Sequence, residues 1–252
     1  MTAAAIRSTS VLAALALLAS CRSTPRPYAL IDGTGGKGKE LQGVLDDGVR
    51  NVESFFGWRY SKPFTVVVVP DRAAFDAALP PEWGMGQTQC WMVACGVSDR
   101  VFLLDPSTWS AQACEHDPSD PAHVAGICAH ELMHVFHGQK NPTGDFTGCD
   151  AIGWFVEGLA TYSSGQLERE HAGRAREAFA SGAAPKTLEE AWSGQYRYGV
   201  AGSLVAYIDH AFGRKTLLEL LAATSEEQIL DRLDLTEDGL LAGWKQYVEQ
   251  GD

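Results

Sequence analysis

Apolar residues recur at helical spacing between Lys39 and Phe56, where Leu41, Val44, Leu45, Val49, Val52 and Phe56 share one side, predicting an amphipathic helix. The run Phe64–Val69 is short and β-branched and stops at Pro70, which predicts a buried strand. Asp71 then predicts an N-cap for a helix through about Ala78. Residues 80–98 keep no period and are rich in Gly, Trp and Cys. A second strand is predicted at Val101–Leu104, closed by Asp105-Pro106, and the segment Arg100–Leu104 is read as a sheet edge. Beyond Pro121 the pattern is helical almost to the end, where Thr236 caps a segment carrying Leu240, Leu241, Trp244 and Val248 at helical spacing. A small sheet-bearing part over 39–120 followed by a mainly helical part over 121–252 predicts one domain of the α+β class.

The first residues follow another pattern. The stretch before Cys21 holds one cation, Arg7, no acid, and an apolar run Val11–Ala19. That run is far below the ~20 residues needed to cross a bilayer as a helix. Behind a positive start it reads as an export signal. The small residues Leu18-Ala19-Ser20 directly before Cys21 resemble the lipobox of bacterial lipoproteins. The resemblance implies a signal peptide at 1–20, a lipidated Cys21 at the mature N-terminus and anchorage to a membrane through its acyl chains. Arg22, where an Asp would resemble an inner-membrane retention signal, favours the outer membrane of the cell envelope if the cell has one. An ordinary secretory signal with Cys21 incidental is the other reading. Residues 21–38, with Pro, Ser, Thr and Gly and no sustained period, predict a flexible tether.

Composition narrows the partners. The chain has 252 residues, 45% of them hydrophobic, with 20 Lys+Arg against 32 Asp+Glu. That suffices for a sizeable core and excludes a mainly disordered protein. A net charge of −12 excludes nucleic acid as an expected partner, because phosphate binding needs clustered cations. Six cysteines suit an oxidising compartment. With Cys21 lipidated, an odd number remains: Cys90 and Cys95 are placed to staple the irregular stretch, and Cys114, Cys128 and Cys149 to supply a second bridge. No C-x-x-C pair suggests a structural zinc.

The densest chemistry lies at His130-Glu-Leu-Met-His134. Asp120 as N-cap, Pro121 in the first turn and Gly138 at the far end predict one helix through this stretch. On it, His130 and His134 are one turn and about 40° apart, so both imidazoles can converge on one ion. Glu131 lies about 100° round from His130, near the ion yet off the ligand line, where a carboxylate can take a proton from a polarised water. A catalytic zinc wants three protein ligands and one open position. After the turn-forming stretch 141–150, Glu157 stands near the start of a second helix and would complete a His₂Glu set. The rival arrangement with a third histidine fails, since position 137 is His instead of Gly and position 140 is Lys. His137 and His123 lie about 10.5 Å along the axis from His130, too far to share its ion. His116, His171 and His210 show no ligand spacing, and Asp145 and Asp150 are candidates to orient a ligating imidazole.

His130-Glu-Leu-Met-His134 followed by Trp154-Phe-Val-Glu157-Gly-Leu-Ala-Thr-Tyr162 resembles the gluzincin zinc metallopeptidases, most closely the small peptidase MA-like domains, over about residues 60–250. The segment from Tyr198 to Gly213 is similar to a helix of zinc aminopeptidases that begins with a tyrosine and ends in Gly. The resemblance implies one catalytic Zn²⁺ on His130, His134 and Glu157, with Glu131 as general base and proton donor. It also implies an oxyanion-stabilising phenol at Tyr198, with Tyr196 a close competitor. Aminopeptidases of this type carry a Glu upstream that holds the substrate amine. The nearest string here, Trp83-Gly84-Met85-Gly86-Gln87, has Gly in its place, so the expectation is an endopeptidase acting on peptides or proteins. The alternative expectation is a non-catalytic surface lipoprotein that uses the metal as a structural clamp for binding or assembly.

Overall fold

The protein is described by a computed structural model covering residues 25–83 and 86–251. The predicted signal peptide, Cys21 and its lipidation lie outside the described residues, as do Gly84 and Met85 of the string weighed above. In chain order the elements are strand β1 (Tyr28–Asp32), a 3₁₀ turn (Lys37–Leu41), helix α1 (Gln42–Phe56), β2 (Phe64–Val69), α2 (Arg72–Ala78), β3 (Ala94–Val97), β4 (Arg100–Leu104), α3 (Trp109–Gln112) and α4 (Pro121–Gly138). There follow α5 (Gly153–Ser163), α6 (Gln166–Glu170), α7 (Arg174–Ser181), α8 (Arg197–Leu220), α9 (Glu226–Leu233) and α10 (Glu237–Gln250). The fold is mixed α and β, with one small sheet and a helical remainder, as the hydrophobic pattern predicts. No helix among the described residues is long and apolar enough to cross a membrane.

The sheet has four strands in the order β1-β2-β4-β3. β1, β2 and β4 run parallel, and β3 returns antiparallel along β4, with Cys95 opposite Phe102. Two sequence expectations change here. The stretch 21–38 is not all tether: Tyr28–Asp32 pairs with Phe64–Val68, and the Tyr28 hydroxyl donates to Asp46 Oδ1 of α1 at 2.8 Å. Five residues gave too short a window for a periodic signal, and only pairing with β2 gives them order. Arg100–Leu104 is not an edge either. It lies between β2 and β3, and the edge on that side is β3, inside the stretch that showed no period.

The predicted caps are in place. Asp71 accepts from the Ala74 amide, Asp120 from Ala122, and Thr236 from Gly239. α1 buries Leu45, Val49, Val52 and Phe56 and ends at Gly57, whose φ of 68° suits a residue without Cβ. This buried face packs along α4, where Phe56 stacks on Phe136 at 5.2 Å. α4 in turn lies beside β3 and β4, and α5 joins it to the long α8. Within α8 the backbone breaks at Gly213 (φ 82°, ψ 157°), the glycine at which the sequence ends that helix. Trp244 of α10 is fully buried and its indole N–H donates to Ser203 of α8 at 2.8 Å, which anchors the C-terminal helix.

The cysteines pair differently from the expectation. Cys90 is bridged to Cys114, not to Cys95, so the disulfide ties the irregular stretch to the segment after α3. Cys95 lies on β3 opposite Phe102 as a free thiol, near enough to Glu131 and Glu157 to feel their charge. Cys95, Cys128 and Cys149 are free, so no second bridge forms among the described residues, and burial pushes the Cys128 thiol up to about 12.

Helix α5 packs closely on α8. A Cβ on Gly158 would stand 2.4 Å from the Ala201 carbonyl oxygen, a backbone atom that cannot rotate away. Gly158→Ala is therefore expected to lower stability by about 1–3 kcal/mol, measured as a shift of the urea midpoint at unchanged slope.

Candidate metal centre

Helix α4 presents His130 and His134 on one face, with ring centroids 4.8 Å apart and planes inclined at 74°. From α5, Glu157 brings Oε2 to 3.2 Å from Nε2 of His130 and 3.7 Å from Nε2 of His134. One ligand atom from each residue lies within 4.8 Å of the others. Four tetrahedral ligands with bonds of about 2.0–2.2 Å stand about 3.3–3.6 Å apart, so this spacing fits a small divalent ion. The donor set, two imidazole nitrogens and one carboxylate oxygen, fits it chemically as well. Both histidines are buried, and this His130, His134, Glu157 group can hold a metal ion.

A group that the sequence did not single out holds His130 in place. Its Nδ1 meets Gln166 Oε1 at 2.8 Å, and that amide oxygen also accepts from the Ser164 hydroxyl at 3.1 Å. A carbonyl acceptor requires the proton on Nδ1, which leaves the Nε2 lone pair for an ion. Asp145 and Asp150, the sequence candidates for this task, are exposed and contact neither imidazole. Asp145 instead accepts from the Thr147 amide within its own loop. Nothing in the spacing marked Gln166, because it reaches His130 through the turn that places α6 beside α4.

Glu131 lies beneath the edge strand. A Cβ on Gly96 would stand 2.4 Å from the Glu131 carbonyl oxygen and 3.2 Å from its carboxyl Oε2, so the strand lies directly on the helix at that point. The Gly96 amide hydrogen-bonds the carboxyl group. Burial pushes the Glu131 carboxyl up to about 7, the neighbouring Glu157 adding to burial while His130 and the Gly96 amide oppose it. Glu157 goes the other way. Burial disfavours its charge, but His134 and His130 beside it more than offset burial, and its carboxyl is held below the usual range.

Both tyrosine candidates sit at the start of α8, and the structure separates them. Tyr198 lines a cleft of about 600 Å³ together with His130 and Glu131. Its ring lies 6.4 Å from that of His130, stacks on His171 at 5.4 Å and meets the edge of Trp192 at 4.9 Å. Burial, reinforced by Glu157, raises its phenol above the usual value, so the hydroxyl keeps its proton as a donor. Tyr196 is not part of the cleft lining and packs against the hydrophobic core.

The remaining histidines divide as their spacing implied, with one addition. His137 is fully buried between Phe146 and Phe155, and His210 packs on Tyr247. His123 and His116 form a chain on the cleft wall that spacing did not reveal. His116 Nε2 lies 2.7 Å from the Trp91 carbonyl, which makes that nitrogen the donor, and its Nδ1 accepts from His123 Nε2 at 2.9 Å. His123 Nδ1 faces Glu170 Oε2 at 3.2 Å. Compared with known protein families and with curated proteins, the chain matches none.

Gln166→Leu is expected to weaken metal binding by about 10–100-fold, measured by competition with a chromophoric chelator, because Nδ1 of His130 loses its acceptor. A second expectation concerns acid stability. Burial lowers the His137 imidazole to about 3 from an ordinary 6.5, so between these values the unfolded chain binds a proton that the native state refuses. Stability should then fall as pH drops below about 6.5, and His137→Leu should flatten that fall in urea titrations run with chelator present.

Proposed function

We propose that the protein is a zinc-dependent metallopeptidase of the gluzincin type, acting as an endopeptidase on peptides or proteins. The observation that carries this reading is the convergence of His130 and His134 Nε2 with Glu157 Oε2, beside a buried Glu131 and at a cleft lined by His130, Glu131 and Tyr198. His130, His134 and Glu157 would hold the zinc, which when bound supplies a Lewis acid and lowers the pKa of water toward ~7.

The residues of the chain then have separate tasks. Glu131, as carboxylate, takes the proton of the attacking water and afterwards passes it to the amide nitrogen as the C–N bond breaks. Its position between acid and base forms near neutrality suits both halves of that task, and a cation on the trio would shift it toward the carboxylate. The Tyr198 hydroxyl donates to the oxygen that gains charge when the carbonyl becomes tetrahedral. β3, with its outer edge unpaired in the sheet and Gly96 lying over Glu131, is the strand on which an extended peptide can add by main-chain hydrogen bonds. This role moves there from Arg100–Leu104, which the sheet encloses.

A purely structural clamp has no use for a buried carboxyl such as Glu131, whose desolvation costs stability and satisfies no ligand position. On the sequence features, the mature enzyme is held at the cell envelope through lipid on Cys21. Glu131→Gln is expected to retain one zinc per chain and lose about 10²–10⁴ in kcat/KM on a peptide library. Chelation should abolish cleavage and zinc should restore it. A zinc-replete Glu131→Gln protein that cleaved at the wild-type rate would overturn the mechanism.

A further inference from the structure

The cleft beside the metal centre holds two arginines that the reaction does not use. Arg174, Arg197 and three histidines line it together with His130 and Glu131. Most have a carboxylate of their own. Arg174 pairs with Glu177 at 2.9 Å and His123 with Glu170 at 3.2 Å, while Glu115 lies by His116. Arg197 has none among the described residues. Its guanidinium carbon stands 5.6 Å from the Trp91 ring, 5.7 Å from Trp192 and 5.1 Å from Tyr198. All three distances fall within the range of cation–π attraction.

Arg72, Arg169 and Arg176 have no carboxylate partner among the described residues either, but they donate to backbone carbonyls, whereas Arg197 stands among aromatic rings on the cleft wall. Aromatic rings grip the flat faces of a guanidinium, and apart from the hydrogen bond that Arg197 makes with the Tyr198 hydroxyl its in-plane N–H groups remain for a ligand. Those groups form a planar fork that matches a carboxylate through two parallel hydrogen bonds. The fork is held within one residue of Tyr198, whose ring faces His130, so its ligand would sit next to the reacting bond.

We propose that Arg197 reads a carboxylate in this cleft, and that the preferred substrates present one beside the scissile bond, from an Asp or Glu side chain or from a free C-terminus. The inference rests on the peptidase reading above and names the substrate class for the same site. Arg197 is a specificity-determining residue that binds substrate, distinct in task from the metal ligands and Glu131.

The test compares kcat/KM of the zinc-loaded mature protein on matched peptides. One pair has Asp or Asn next to the cleaved bond, and the other has a free or an amidated C-terminus. The expected result is a preference of about tenfold or more for the charged member of one pair, and the preferring pair identifies the source of the carboxylate. In Arg197→Gln that ratio should fall to near one. Arg197→Lys, which keeps the charge without the fork, should retain part of it. Wild-type protein without preference in either pair would overturn the proposal, as would an undiminished ratio in a folded Arg197→Gln protein. If no peptide is turned over, the peptidase reading fails on its own, and calorimetric binding of the same four peptides still decides Arg197. Acid-selective binding lost in Arg197→Gln upholds the carboxylate site, and equal binding of acid and amide overturns it.

Discussion

Two imidazole nitrogens and a carboxylate oxygen 3.2 and 3.7 Å apart require two helices that cannot slide along one another. A shift of one residue on α5 would rotate Glu157 about 100° away from α4 and dismantle the site. The neighbour of Glu157 prevents that shift. Gly158 sits against the Ala201 backbone of α8 so closely that no side chain fits, and this contact sets both the depth and the rotation of α5. On the other flank, α1 comes close to α4 at Gly48, which touches Leu132 between the two metal-facing histidines. Burying like polar groups in a close-packed interior is costly, so their positions are over-determined by the packing around them.

The same packing sets the electrostatics. Glu131, buried, and Glu157, partly exposed, both lie near His130, yet their carboxyls shift in opposite directions. Glu157 has two imidazoles beside it and remains ionised. Glu131 faces the edge strand and receives one backbone amide, which does not make up for the water it has lost. Two carboxyl groups in one site thereby acquire the distinct characters of a ligand and a proton carrier. The cleft wall mixes both signs, with Arg174 and Arg197 beside Glu115, Glu131 and Glu170.

Much of the fold was legible because it rests on local rules. Asp71, Asp120 and Thr236 cap the helices they were expected to cap, and the run Phe64–Val69 is a strand. Illegible parts are those defined by a distant partner. β1 and β3 are short strands of five and four residues whose order comes from β2 and β4, so no period marks them. Cys90 is bridged to Cys114 and not to the nearer Cys95, because the fold and not sequence distance brings their Cα atoms to 5.3 Å. Gln166 was invisible for the same reason, since an amide in a turn becomes a histidine partner only when α6 lies against α4.

The sequence by itself determined the pairing of His130 with His134 and the offset of Glu131, because the 3.6-residue period fixes neighbours on one helix without help from the rest of the chain. It also determined that a carboxylate stood on the following helix. The tertiary structure alone decided that Glu157 reaches both imidazoles, that Gln166 holds His130, that Tyr198 and not Tyr196 enters the cleft, and that Arg197 stands there among aromatic rings without a carboxylate partner among the described residues. Each of these depends on the distance between side chains far apart in the chain, which is set by how helices and strands pack and by no local propensity.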